Sequence, residues 1–295
     1  MPPFHIFLAV LVTLVWGGTF VFIKWGLDAF PPLTFAALRF ACASLPFLLI
    51  YPSRGGVKWK WIIGIGLFLG VGQFGLLFTG MKLGMPPGLT SAVVQTHAFF
   101  TVLFAILFLK ERPSWQNFTG LALAFAGVVV IAGNLGAVPL LPFLCVIGGA
   151  ACWGVSNILT RQSGADNALR LIVWASLVPP IPLMLLSWAT EGSDAIAHGF
   201  EHVTWLAIVS VAVVSFGATN LAFGMWSFLL RKHRAAVVAP YALLVPLFGI
   251  STSMVILRES ISTTKWIGCG LIVAGVAANS WPAHKAVVAD TETPG

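Results

Sequence analysis

Neutral polar and aromatic side chains inside long apolar stretches are the groups in this sequence that could do chemistry. Amides and a phenol donate and accept hydrogen bonds without a fixed charge, and tryptophan rings can stack on a cationic group. Such groups suit the reversible binding of a small zwitterionic solute. The candidate binding residues are Trp16, Gln73, Gln95, His97, Trp153, Asn157, Asn220 and Tyr241.

Catalytic and metal-binding patterns do not accompany these residues. His97 belongs to no His-x-x-x-His pattern, and no carboxylate pair or Ser, His and Asp set lies near it in sequence. No Gly-x-x-x-x-Gly-Lys-Ser/Thr loop occurs, so ATP is not expected to drive the protein directly. The four cysteines have no ligand spacing and are interpreted as packing residues. We predict a protein that is not an enzyme and holds no metal or cofactor.

Each candidate also has a structural interpretation, which the sequence leaves open. His97 either bonds a neighbouring carbonyl or contacts the solute as a gating donor that could also carry a proton. Gln95 and Asn157 either bind the ammonium and carboxylate of an amino acid or join neighbouring helices. Trp16 and Trp153 either stack on the solute or are packing residues.

An arginine and two prolines within the apolar stretches carry further predictions. Arg39 is the one basic residue clearly inside such a stretch, and we favour a structural anchor over a role in binding a carboxylate. Pro240 and Pro246 interrupt a later stretch and each remove a backbone donor, which predicts a bend. That bend is either a hinge beside the binding site or a static kink.

Composition places the whole chain in lipid. Hydrophobic residues make up 58% of it and charged residues only 8%, against about 25% charged residues in soluble domains. The net charge of +7 is attributed to loop residues that face an anionic inner leaflet, and no nucleic-acid partner is expected. The solvent of this protein is therefore the lipid bilayer.

The apolar stretches are long enough for membrane-spanning helices of about 17 to 25 residues. We predict an all-α integral membrane protein with ten transmembrane helices. Their approximate bounds are 4–27, 33–51, 62–81, 88–109, 116–134, 139–160, 169–189, 203–226, 234–257 and 264–281. The polar stretch from Glu191 to His202 is predicted as a connection between two of them.

A passage of the chain occurs twice. Leu109-Lys110-Glu111, with a Gly-x-x-Leu-x-x-Ala-Gly-Val helix from Gly120, recurs 148 residues later as Leu257-Arg258-Glu259 with the same helix from Gly268. A second, shorter match between the two halves, at an offset of 137 residues, pairs Trp16-Gly17 with Trp153-Gly154. The predicted units are a first five-helix repeat over 1–136, a second over 137–282 and a polar tail over 283–295. Repeated halves in a membrane protein favour a transporter.

The distribution of basic residues predicts the orientation. With a cytoplasmic N-terminus, eleven of the 16 lysines and arginines lie inside and four outside, with Arg39 within a span. Both termini are then cytoplasmic. Because each repeat holds an odd number of helices, the second copy is inverted, and Glu111 and Glu259 reach opposite faces.

The candidate residues point to a cavity between particular helices. Polar side chains concentrate in the first, third, fourth, sixth, eighth and ninth predicted helices. The fifth and tenth are rich in Gly, Ala, Leu and Val and are expected to act as scaffold.

Several motifs resemble a known family. The repeat of five helices that closes on a Glu and a Gly-x-x-Leu-x-x-Ala-Gly helix is similar to the EamA branch of the drug/metabolite transporter superfamily. Local strings resemble its bacterial exporters of amino acids and cysteine-pathway metabolites. These include Pro31-Pro32-Leu33, Leu38-Arg39-Phe40, Gln73-Phe74, Ala98-Phe99-Phe100-Thr101, Val173-Trp174-Ala175-Ser176, Met225-Trp226 and Val238-Ala239-Pro240.

This resemblance implies an exporter of amino acids and related small metabolites in the bacterial inner membrane, working by alternating access. The aromatic amino-acid branch stays open beside the cysteine-pathway branch, and a flippase for lipids or lipid-linked sugars is the alternative. All nine acidic residues fall in predicted loops or the tail, so facilitated export is favoured over coupling through a buried carboxylate. A monomer is the expected state.

Overall fold

The computed structural model describes residues 1–85, 90, 93–132, 140–257 and 263–280. Several features named from the sequence lie outside the described residues. They are part of the fourth predicted helix (86–89 and 91–92), the boundary between the predicted repeats at 136 and 137, the recurring Arg258-Glu259, and the tail 283–295.

The all-α fold class is confirmed, because every regular element in the described residues is helical. The helices follow the predicted apolar stretches in chain order, and we number them α1 to α10. Their bounds are α1 Pro3–Ala29, α2 Pro32–Ser44, α3 Trp59–Lys82, α4 Val94–Leu109, α5 Trp115–Ala132, α6 Leu140–Gln162, α7 Ala168–Thr190, α8 Trp205–Lys232, α9 235–257 and α10 Thr263–Ser280.

Among the described residues, six helices are long and apolar enough to cross a membrane. They are α1, α2 with its 3₁₀ extension to Leu49, α3, α6, α7 and α8. Shorter apolar helices cover Val94–Leu109, Ala235–Gly249 and Trp266–Gly275. The protein is therefore a multi-pass helical membrane protein.

Two helices change their hydrogen-bonding pattern in mid-length. A π-helical segment runs from Gly66 to Gln73 in α3, and another runs from Val213 to Ala222 in α8. Both fall in the third helix of a predicted repeat. Such segments are often found at functional sites because they alter which side chains face a neighbouring helix.

Prolines interrupt two further helices. In α9 a 3₁₀ segment covers Ala239–Leu244, and Pro246 stands in the first turn of the following α-helical segment. In α7 the α-helix stops at Ala175 and resumes at Pro180. The irregular backbone predicted at Pro240 is present, and whether it moves stays a prediction.

The polar connection predicted before α8 contains a short helix, Ser193–Glu201, which the sequence analysis did not foresee. Apolar packing holds this helix against the end of α1, where the rings of Phe200 and Phe30 lie 5.6 Å apart. Glu191 anchors its start, accepting from the backbone N–H of Leu33 at 3.0 Å and from the Ser187 hydroxyl at 2.5 Å.

Helices α5 and α10 pack through glycines in a reciprocal way. A Cβ added at Gly127 would lie 2.5 Å from the carbonyl oxygen of Gly268, and one at Gly275 would lie 2.6 Å from that of Gly120. Gly127 and Gly275, like Gly120 and Gly268, are counterparts at the 148-residue offset. Each helix therefore presents the same surface to the other, with backbones in close approach.

A second reciprocal contact joins the two halves of the chain. A Cβ at Gly17 of α1 would lie 2.6 Å from Cβ of Phe248 in α9, and one at Gly154 of α6 would lie 2.7 Å from Cβ of Phe100 in α4. The first helix of each half thus packs on the fourth helix of the other half. These four helices, together with α2, α3 and α8, surround the centre of the molecule.

Candidate functional site

A cavity of about 80 Å³ lies at this centre. Side chains of α1, α2, α3, α4, α6, α8 and α9 line it, and four of the eight predicted binding residues are among them. Those four are Trp16, Gln73, Gln95 and Trp153. Thr19 and Arg39 are the other polar lining residues, and the remaining wall is apolar or aromatic. We call this space the central cavity.

Several polar atoms at the central cavity have no hydrogen-bond partner among the described residues. They are Oε1 of Gln73, Oε1 of Gln95, Nε1 of Trp153 and Nε of Arg39, all of them buried. Buried polar atoms are normally paired, because leaving one unpaired costs about 1–3 kcal/mol. Two acceptors and two donors on residues that line one cavity therefore lack a protein partner.

Aromatic rings form one wall of the central cavity. The Trp16 ring centroid lies 5.2 Å from that of Trp153, 4.7 Å from that of Phe223 and 5.2 Å from that of Trp226. The indole N–H of Trp16 donates to the carbonyl oxygen of Ala218 at 3.1 Å, which fixes its ring. Both tryptophans predicted from the repeat are thus brought together, and each lines the cavity.

His97 lies behind this wall and does not line the cavity. Its ring stacks on Trp153 with centroids 3.6 Å apart, and it is fully buried. Neither ring nitrogen has a hydrogen-bond partner among the residues that the structure describes. Trp153 therefore stands between His97 and the central cavity.

Asn157 uses its amide to join helices. Its Nδ2 donates to the Thr101 hydroxyl at 2.9 Å, and its Oδ1 accepts from the Trp226 indole N–H at 3.1 Å. This network links α4, α6 and α8 beneath the aromatic wall. The amide is satisfied by protein groups, which supports the helix-joining interpretation that the sequence left open.

The remaining two predicted residues lie elsewhere. Asn220 lines a separate open groove of about 450 Å³ together with Phe4, Asp166 and Arg231. Tyr241 is buried and lines neither space. Sequence reasoning could not separate them from the lining residues, because all of them are polar groups within apolar helices.

Arg39, expected to be a structural anchor, lines the central cavity. It is 2% exposed, its Nη2 donates to the Thr219 hydroxyl at 2.9 Å, and its guanidinium lies 4.1 Å from the ring centroid of Phe74. The sequence signal was present, since a basic residue inside an apolar helix marks a functional position by default.

Charged groups hold the molecule together where α1 begins, which we call the His5 end. Arg161 of α6 lies 2.6 Å from a carboxylate oxygen of Glu111, just after α4, and also donates to the carbonyl oxygen of His233 at 2.8 Å. His233 in turn shares a 2.6 Å hydrogen bond between its Nε2 and Nδ1 of His5. These contacts join α1, α4, α6 and the α8–α9 connection.

The pKa of His233 is lowered, first by burial and then by the positive charges of His5, the N-terminus and Arg161. The histidine hydrogen bond needs one neutral ring as acceptor. Because the folded-state pKa lies below the ordinary value of about 6.5, the stability from this group is present above that value and is lost as pH falls through the lowered pKa. We expect the melting temperature of the purified protein to fall as pH is lowered from about 8 to about 5.

The variant His233→Gln should flatten this pH dependence, since glutamine keeps a polar group without titrating. His198→Gln is the matched control, because His198 lies in the exposed part of the helix Ser193–Glu201. A His233→Gln protein with the same pH profile as the parent would show that this pair does not sense pH.

Comparison with known proteins decides what kind of molecule carries this site. Two stretches of the chain, residues 3–133 and 140–281, match the EamA-like transporter family. The chain belongs to this family. It is a multi-pass membrane transporter and not an enzyme, as the sequence predicted.

Relatives of this EamA-like protein include two with an informative name. A "Probable amino-acid metabolite efflux pump" of Salmonella typhimurium is 36% identical over 280 residues, covering 92% of this chain and 93% of the relative. A protein of Escherichia coli with the same name is 34% identical over 279 residues, covering 92% and 93%.

One solved crystal structure, described only as "Crystal structure of protein", has a similar fold. It aligns with a TM-score of 0.76 and 22% sequence identity, covering 93% of this chain and 95% of that chain. The likeness concerns the fold alone.

Proposed function

We propose that this EamA-like transporter exports amino acids and related small metabolites across the bacterial inner membrane by alternating access. The observation that carries the proposal is the central cavity between the two halves of the chain, with its unpartnered donors and acceptors. The names of the two efflux-pump relatives support the substrate class. Trp16, Gln73, Gln95 and Trp153 are the residues proposed to contact the solute.

The proposed architecture is ten transmembrane helices in two inverted five-helix repeats, 1–136 and 137–282. The family matches the chain twice, once in each half. The reciprocal glycine contacts of α5 with α10, and of α1 with α9 as of α6 with α4, are those expected of halves related by a two-fold axis. Such halves can rock about a site between them.

The proposed orientation has both termini in the cytoplasm, supported by the eleven-to-four division of basic residues. In a background without the four native cysteines, a cysteine at Asp194 should react with an impermeant reagent in intact cells. Cysteines at Gly55 and Lys232 should react only after the cells are opened. Labelling of the Gly55 site but not of the Asp194 site in intact cells would contradict this topology.

Opening of the central cavity is a necessary part of the proposed cycle. Its volume of about 80 Å³ is well below the roughly 300–1,000 Å³ of ordinary ligand pockets. The helices around it must therefore move apart to admit a solute. The irregular backbone at Pro240 and Pro246 in α9 is the proposed hinge, because it lacks two helical donors next to the cavity wall.

Transport is proposed to be facilitated. The residues lining the central cavity include no carboxylate in the part of the chain that the structure describes. In proteoliposomes, the purified protein should exchange labelled neutral amino acids in counterflow and equilibrate them without accumulation. The Leu123→Ile variant in the scaffold helix α5 should behave like the parent.

Two results would contradict this proposal in different ways. Uphill accumulation that follows an imposed pH gradient and vanishes with an uncoupler would refute facilitated transport and point to His97. Counterflow of no amino acid at all would refute the exporter, and flipping of a labelled lipid-linked sugar would then support the alternative.

A further inference from the structure

Arg39 is a buried cation at the edge of the central cavity. It carries five N–H donors, and within the described residues its side chain bonds only the neutral hydroxyl of Thr219. Its Nε is buried and has no partner among the described residues. Part of its hydrogen-bonding capacity is therefore unused, in a residue that lines the cavity.

No carboxylate balances this charge in the described part of the chain. The only ion pair found there joins Arg161 to Glu111, at the His5 end. Besides Thr219, two aromatic rings lie near the guanidinium, with the Phe74 centroid at 4.1 Å and the Phe40 centroid at 5.2 Å. Ring faces stabilise a cation, but a buried charge is ordinarily paired with an opposite one.

An arginine without a charged partner is energetically unfavourable inside a membrane helix. On translocon scales an arginine within a membrane helix is unfavourable, and such residues normally face a partner or a polar cavity. The bond to Thr219 joins α2 to the π-helical segment of α8, and a neutral residue could make the same link. The positive charge is therefore explained best by a negatively charged ligand that binds reversibly.

The groups around the cavity complement the rest of an amino acid. Oε1 of Gln73 and Oε1 of Gln95 are buried acceptors without partners, and each side chain lines the cavity with Arg39. Amide oxygens can accept from an ammonium group without fixing a negative charge in the membrane. The rings of Trp16 and Trp153 provide an apolar wall for a side chain.

We propose that Arg39 binds the carboxylate of the transported solute. The central cavity then selects α-amino acids over derivatives in which the carboxylate is replaced by an uncharged amide or ester. Gln73 and Gln95 then accept from the ammonium group. This inference rests on the proposed export of amino acids and adds the group that recognises them.

Equilibrium binding tests this role through the ratio of affinities for a solute with and without a carboxylate. An arginine with a purely structural role would not change this ratio. Tritiated L-leucine is bound to the detergent-purified parent and displaced by leucine, leucinamide or leucine methyl ester. In the parent, the amide and the ester should compete about 10- to 150-fold more weakly than leucine, which corresponds to losing one hydrogen-bonded charge contact of about 1.5–3 kcal/mol.

The variant Arg39→Gln should lower leucine affinity by a similar factor and leave the affinities of the amide and ester nearly unchanged, so that the discrimination disappears. Arg39→Lys keeps the positive charge but cannot make a bidentate hydrogen bond to a carboxylate. This variant should retain part of the preference for leucine over its amide and ester. Arg231→Gln, at the separate groove, is the control and should discriminate as the parent does.

Because the readout is a ratio of affinities, it does not depend on how much folded protein each variant gives. Equal competition by leucine and leucinamide in the parent would overturn the role of Arg39. So would an Arg39→Gln variant in which both affinities fall by the same factor. Either result in a parent that passes the counterflow test refutes this inference alone, whereas failure of counterflow refutes the proposed function.

Discussion

Replacing Gly275 by alanine is expected to destabilise the protein by about 1–3 kcal/mol, because α5 and α10 must separate to admit the new methyl group. The added Cβ would collide with the backbone nitrogen of Ala124 and lie 2.6 Å from the carbonyl oxygen of Gly120. Backbone atoms cannot turn aside as a flexible side chain can. Unfolding of the purified protein in increasing sodium dodecyl sulfate measures the change.

The same helix supplies a matched control. An added Cβ at Gly270 meets nothing within 4 Å among the described residues, so Gly270→Ala should be neutral or stabilising by up to about 1 kcal/mol through helix propensity. In α1, Gly17→Ala should likewise destabilise and its neighbour Gly18→Ala should not, since the nearest atom to a Cβ at Gly18 is 3.9 Å away. Equal stability of Gly275→Ala and Gly270→Ala would refute the close approach of α5 and α10.

Replacing Arg161 by alanine is expected to cost about 3 kcal/mol, the lower part of the range for breaking a buried ion pair. The Glu111 side chain is 7% exposed and would be left as an uncompensated buried charge, while Arg161 itself is 26% exposed. The bond from Arg161 to the carbonyl oxygen of His233 would be lost as well. Chemical unfolding again gives the measurement.

A double-mutant cycle separates the ion pair from the rest of the effect. Glu111→Gln removes the stranded charge, so Arg161→Ala with Glu111→Gln should be more stable than Arg161→Ala alone. If the effects of the two single changes simply add, the charges of Glu111 and Arg161 do not interact in the folded protein.

Gly275→Ala and Arg161→Ala affect different parts of the proposed cycle. The α5–α10 contact belongs to the scaffold and should be needed throughout. The His5-end contacts join four separate parts of the chain, so they must loosen if the central cavity is to open towards that end. Arg161→Ala should therefore weaken closure at the His5 end, whereas Gly275→Ala acts on folding alone.

Composition and spacing determined the fold class and much of the organisation of this protein. Only 8% of its residues are charged, which places the chain in lipid, where helices and closed barrels are the structures that satisfy every backbone group. Apolar stretches of about 20 residues match a membrane helix and are too long for a barrel strand. The repeat also placed Trp16 with Trp153, and Gly127 with Gly275, as counterparts. These properties depend on residue type and distance along the chain, which the sequence contains.

Tertiary structure alone decided which polar groups face the cavity. Gln73 and Asn157 are both amides within apolar helices, yet Gln73 lines the central cavity while Asn157 bonds Thr101 and Trp226, 56 and 69 residues away. Arg39 likewise became a lining residue only when α2 met α3 and α8. A side chain's partners come from helices remote in sequence, and the π-helical segments change the faces that those helices present, so no local pattern could assign these roles.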